Sequence, residues 1–136
     1  MSVQPRKILI VEDTFSNGKM LEAKLLNENF AVDIAVNGGE AMAKIDAGPF
    51  SLVLLDVMMP GIDGFEVCRR IRAHGHAGTL PVIMITALDM PSAREAGRKV
   101  GADDFFVKPV EDAVLFERMH DLIGAHETAH PQLDRV

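Results

Sequence analysis

The chain has 136 residues, 48% hydrophobic and 25% charged, with 14 basic against 20 acidic side chains and a formal net charge of −6. That composition fits one globular domain with a substantial core, and the acidic balance argues against direct nucleic-acid binding, which needs a basic patch. A single cysteine excludes an intrachain disulfide, and no stretch approaches the ~20 apolar residues of a membrane span or forms a secretory leader, so a cytoplasmic protein is expected.

Five short apolar runs alternate with helix-like segments. Lys7–Val11 is the first strand, followed by a helix over Phe15–Asn29 with Met20, Leu21 and Leu25 inward and Lys24 at the edge of the stripe. Val32–Ala35 is the second strand and Gly39–Ala47 the second helix. Leu52–Asp56 leads to a third helix over Phe65–His74, which Asp63 or Gly64 can start and whose inner side is Phe65, Val67, Cys68 and Ile71. Val82–Thr86 precedes a helix over Ser92–Gly101, where Ser92 and Glu95 match a capping box and Gly101 suits the C-terminal end. Phe105–Val107 is the fifth strand, and Glu111–Gly124 the fifth helix, with Val114, Leu115, Met119, Leu122 and Ile123 at helical spacing. Strict strand–helix alternation predicts a parallel sheet with helices on both faces. Residues 125–136 read as a tail or the start of a linker.

Acidic residues stand where apolar runs end: Glu12 and Asp13 after the first strand, Asp56 at the end of the third. In open parallel sheets, ligands bind at the carboxyl ends of strands. Carboxylates gathered there raise one another's pKa unless a cation joins them, and a hard divalent ion such as Mg2+ suits an all-oxygen site. Thr86 and Lys108 sit at two further strand ends, adding a hydroxyl and an ammonium. The convergence points to metal-assisted chemistry on a carboxylate.

The stretches Ile8–Asp13, Leu54–Phe65, Ile85–Ala87 and Gly101–Pro109, in that order, resemble the receiver domains of two-component response regulators, over roughly residues 6 to 124. The resemblance implies a flavodoxin-like, doubly wound α/β fold with five parallel strands in the order 2-1-3-4-5 and five helices. It implies that Asp56 takes a phosphoryl group from a sensor histidine kinase or phosphotransfer protein, that Lys108 and Thr86 contact that group, and that slow autodephosphorylation follows without any other enzyme activity. Mg2+ would be held by Asp13, Asp56 and the Met58 carbonyl, with Glu12 acting through water. Thr86 and Phe105 would form the switch; many members carry Tyr at the second position, so a hydroxyl-borne signal is lost here. Lys108-Pro109 is expected to be cis. Partner binding or homodimerisation is expected on a face made by Ser92–Val100, Phe105–Val107 and Asp112–Ile123, with Arg94, Arg98, Glu117 and Arg118 exposed to it. Within the family the chain resembles the first receiver of PleD-type diguanylate cyclase regulators, so it is either a free-standing receiver or part of a longer regulator. It contains no cyclase segment.

Other functions fit less well. A dehalogenase-type phosphatase would place an acid two residues after the nucleophile, where this chain has Met58; a flavin carrier would need a Ser/Thr/Gly-rich loop in place of Asp13-Thr14-Phe15-Ser16. A phosphorylation-independent interaction module would be expected to lack one of the acids, the lysine or the hydroxyl. The pairs His74/His76 and His126/His130 have no third ligand nearby in sequence and read as solvated. Cys68 reads as a packed, inert thiol.

Overall fold

Runs such as Ile8–Val11 and Leu52–Leu55 are apolar at every position because both faces of their strands are covered. The structure is a computed structural model and describes residues 6–59, 61, 63–73, 79–87 and 90–128. Its strands are β1 (Lys7–Val11), β2 (Ala31–Ala35), β3 (Leu52–Asp56), β4 (Val82–Thr86) and β5 (Asp104–Val107). They alternate with helices α1 (Phe15–Asn27), α2 (Gly38–Ala47), α3 (Gly64–Arg72), α4 (Pro91–Lys99) and α5 (Asp112–Thr128). All pairings are parallel and the sheet order is β2-β1-β3-β4-β5, as expected.

Alternate residues of each strand feed two separate cores. Leu9, Val11, Val53, Leu55, Val82 and Met84 pack with Ile45 of α2, Val67, Cys68 and Ile71 of α3, and Ala93 of α4. Ile8, Ile10, Leu52, Leu54, Ile83 and Ile85 pack with Leu25 of α1 and Leu115, Met119 and Ile123 of α5. Cys68 is fully buried, its thiol directed at the Val100 carbonyl at 3.5 Å, and burial pushes its pKa up to about 11. At pH 8 only about 0.1% would be thiolate. Iodoacetamide should therefore leave the native protein essentially unmodified and label it fully in urea, as read by intact mass.

Several predicted boundaries move, each for a local reason. The first helix ends at Asn27, not Asn29, because Asn29 takes a left-handed conformation (φ 68°). The Asn29 and Phe30 amides bond back to Leu26 and Leu25, and Phe30 packs in the same core as Leu25, closing the helix. Met20 and Val114, assigned to inner faces, are 60% and 46% exposed. The capping box at Ser92 does not form. Met90 is the N-cap, Pro91 opens the helix, and Glu95 pairs with Arg98 instead. At the other end the helix stops at Lys99, and Gly101 (φ 96°) closes it through Gly101 N–H to Arg98 and Ala102 N–H to Gly97. The fifth helix starts at Asp112 rather than Glu111 and runs on to Thr128, four residues past the predicted end at Gly124. His74, His76, His130 and the tail from 129 lie outside the described residues.

Arg72, at the end of α3, ties down the sheet edge opposite the acids. Its guanidinium donates to the carbonyls of Gly101 (2.9 Å) and Leu80 (2.6 Å) and pairs with Asp103 at 2.8 Å. Asp103 in turn accepts the Val82 N–H at 2.8 Å.

Candidate functional site

The order β2-β1-β3 sets the first and third strand ends side by side. Val11 and Leu55 are the last registered pair, so Glu12 and Asp56 follow on the same level of neighbouring strands. Oxygens of Glu12, Asp13 and Asp56 lie within 4.8 Å of one another. Glu12 and Asp56 are buried, while Asp13 faces solvent. From the next strand ends come Thr86, fully buried, and Lys108, whose amide donates to the Thr86 carbonyl at 2.8 Å.

Lys108 Nζ stands 3.3 Å from Glu12 Oε1 and 3.6 Å from Asp56 Oδ2. The peptide that follows, Lys108-Pro109, is cis as expected. Two backbone amides hold the acids: Thr14 N–H donates to Glu12 Oε2 at 3.1 Å and Met58 N–H to Asp56 Oδ1 at 3.0 Å. Burial pushes the Glu12 carboxyl above its ordinary pKa, and the Asp56 charge pushes it further, against the opposing pull of Thr14 N–H and Lys108. Carboxylates outnumber the one ammonium among them, so the cluster is built to share a cation. Its donors are all oxygens, the set that Mg2+ takes.

A close approach behind Asp56 fixes its loop. Gly64, the first residue of α3, donates its N–H to the Val57 carbonyl at 3.0 Å. A Cβ there would stand 2.5 Å from the Asp56 carbonyl oxygen and 2.7 Å from Val57 Cα. Asp63 caps the helix by accepting the Glu66 N–H at 3.0 Å, as the sequence suggested. The sequence signalled Gly64 only as a helix start, and its service to Asp56 is visible only in three dimensions.

Phe105 lies on the α4 side of the sheet and is only 7% exposed. Met58 is exposed and Met59 buried, so neither methionine departs from its expected loop or packing place. Of the predicted face, Arg118 of α5 is tied to Asp104 of β5 at 2.6 Å, while Arg98 pairs with Glu95 within α4.

A sheet ordered 2-1-3-4-5 with three acids, a lysine and a threonine at its carboxyl edge defines the class. The chain belongs to the response regulator receiver domain family, whose model matches residues 8–120. Response regulator PleD of Caulobacter vibrioides is 43% identical over 116 residues, which is 85% of this chain but 26% of PleD. The chain thus spans about a quarter of the length of that relative. Among solved structures, a CheY-like receiver domain protein from Methanospirillum hungatei superposes with a TM-score of 0.84 at 29% identity, covering 92% of this chain and 98% of that one. The receiver domain of the sensor histidine kinase PA1611 from Pseudomonas aeruginosa, at 29% identity and a TM-score of 0.82 over 88% of this chain and 98% of its own, has a magnesium ion coordinated in its active-site cleft. This chain is accordingly a receiver domain of two-component signalling. Receivers of this kind take phosphoryl groups from histidine kinases and bind Mg2+ in an acidic site. No helix among the described residues is long and apolar enough to cross a membrane.

Proposed function

We propose that Asp56 is the phosphoacceptor of this receiver, with Glu12, Asp13, Asp56 and the Met58 carbonyl holding Mg2+ and Lys108 and Thr86 serving the phosphoryl group. The observation that carries this reading is the Lys108 amine within 3.6 Å of both Glu12 and Asp56, beside the three-carboxylate cluster. When bound, Mg2+ supplies the positive charge that lets one anion approach another.

The protein's own groups do the rest. Asp56 Oδ2 forms the bond to phosphorus while the bond to the kinase imidazole nitrogen breaks, and the imidazole leaves with the electron pair. The Met58 amide on Oδ1 fixes which carboxylate oxygen is free to attack. Lys108 exchanges its contact with Asp56 for a phosphoryl oxygen, and the Thr86 hydroxyl donates to another. Thr86 sits at the end of β4, next to the strand that carries Phe105, so a shift of Thr86 toward the phosphoryl group opens room for that ring to move. The α4–β5–α5 face then changes shape and passes the signal to an output partner or a second copy of the chain. The same face suits either a free-standing cytoplasmic receiver or one joined to an output domain of the PleD type. We take the receiver unit to extend through α5.

Intact mass after incubation with Mg2+ and acetyl phosphate tests the proposal. A single phosphoryl adduct is expected, absent when EDTA removes the metal. A folded sample that forms no adduct would identify an interaction module that works without phosphorylation.

A further inference from the structure

We propose that Arg94 and Gly97, one turn apart on α4, set the resting position of the Phe105 ring, Arg94 by covering it and Gly97 by leaving it room. The inference rests on the ring being the moving part of the switch.

Three observations converge on that ring. The Arg94 guanidinium stands over it, 5.3 Å from the centroid. Arg94 Nη1 also donates to the Phe105 carbonyl at 3.2 Å, so one side chain grips both the ring and the backbone of the same residue. On the facing surface of α4, a Cβ at Gly97 would lie 3.1 Å from ring Cδ2 and 3.1 Å from Met84 Sδ. With no side chain at Gly97, the ring edge and the Met84 sulfur can lie this close to α4. Arg94 is exposed and the ring is buried, so the guanidinium acts as a cover between the ring and water.

The chemistry of residue 105 gives these contacts their weight. The contacts act on the ring face and on the backbone carbonyl, neither of which a para hydroxyl would remove, so packing and the cation–π contact decide the resting place. Removing the cover and its hydrogen bond shifts the resting ratio of seated to released ring about tenfold toward release. Lysine keeps the charge over the ring but not the planar fork that reaches the carbonyl, so it restores part of the hold. Neither change touches the acids or Lys108, so the capacity to form one phosphoryl adduct per chain is unaltered.

The sequence has no Trp and no Tyr, and Phe105→Tyr therefore installs a sole tyrosine as reporter. Acrylamide quenching of its fluorescence is compared in Phe105→Tyr alone and combined with Arg94→Ala, Arg94→Lys, Arg94→Gln or Gly97→Ala, each checked for folding by far-UV circular dichroism. Without phosphodonor, Arg94→Ala and Arg94→Gln should raise the quenching constant several-fold, Arg94→Lys should recover part of the protection, and Gly97→Ala, by pressing on the ring edge, should raise the constant with Arg94 intact. Folded Arg94 variants whose ring stays as protected as in Phe105→Tyr alone would overturn the role of Arg94, and a protected ring in folded Gly97→Ala would overturn that of Gly97. Beryllofluoride with Mg2+ is then added to Phe105→Tyr alone. An unchanged quenching constant there sinks the ring as the switch, a separate failure from loss of the Arg94 hold in the resting protein.

Discussion

Asp56→Asn should reduce the phosphoryl adduct to background with any donor, while the protein remains folded. The amide keeps the size of the side chain and can still accept the Met58 N–H through its carbonyl oxygen, but it has no anionic oxygen to attack phosphorus. Losing the nucleophile costs the whole reaction rather than a fraction of it. Stability should move the other way. The Asp56 charge is one cause of the raised Glu12 pKa, and a carboxyl with a raised folded pKa favours the fold most when protonated, a contribution lost as pH rises through that value. Removing Asp56 relieves part of that loss, so in metal-free buffer near neutral pH the variant should melt at or above the temperature of the parent. Thermal scans beside the mass measurement separate lost chemistry from lost structure. An adduct on the folded variant would place the acceptor elsewhere.

Gly64→Ala should be the most damaging single-methyl change near the site. Helix propensity alone would favour alanine by about 1 kcal/mol, but the added carbon would fall 2.5 Å from one backbone atom and 2.7 Å from another. Neither atom belongs to a side chain that can swing aside. Overpacking costs typically about 1–3 kcal/mol, and a clash with rigid backbone belongs at the upper end, about a 10 °C fall in Tm for a domain of this size. The displaced atom is the carbonyl of Asp56 itself. The surviving folded protein should therefore also phosphorylate more slowly, which urea unfolding and adduct formation on the same sample would reveal. Unchanged stability and rate together would show that the β3–α3 loop adapts freely.

The parts of the fold that were legible in the sequence are those that physics writes locally. Apolar runs such as Ile8–Val11 and Val82–Ile85 require burial on both faces, and their alternation with helices required a parallel sheet. The acids could be placed at strand ends for the same reason. That Glu12 stands beside Asp56 depends on the strand order, which the motif resemblance supplied and local pattern does not contain. Boundaries failed where two local signals competed. Ser92 and Glu95 have capping-box spacing, but Pro91 opens the helix and Arg98 takes Glu95. Gly124 looked like an end, yet α5 continues past it through polar residues that support a helix as well as a loop. Met20 and Val114 match a helical stripe that is simply wider than the surface available to cover it. The Arg72 and Arg94 contacts reach across from one element to another, and nothing near either arginine announces its partners.

The pairing of β1 with β3 has a consequence for when the molecule becomes competent. The ladder that seats Ile8 beside Leu52 and Ile10 beside Leu54 is the one that brings Glu12 level with Asp56. A slip of one residue turns the buried side chains of the moving strand to the wrong face and separates the acids in the same act. Receptivity is thus acquired together with the native sheet, and a nascent or misregistered chain is silent rather than partly active.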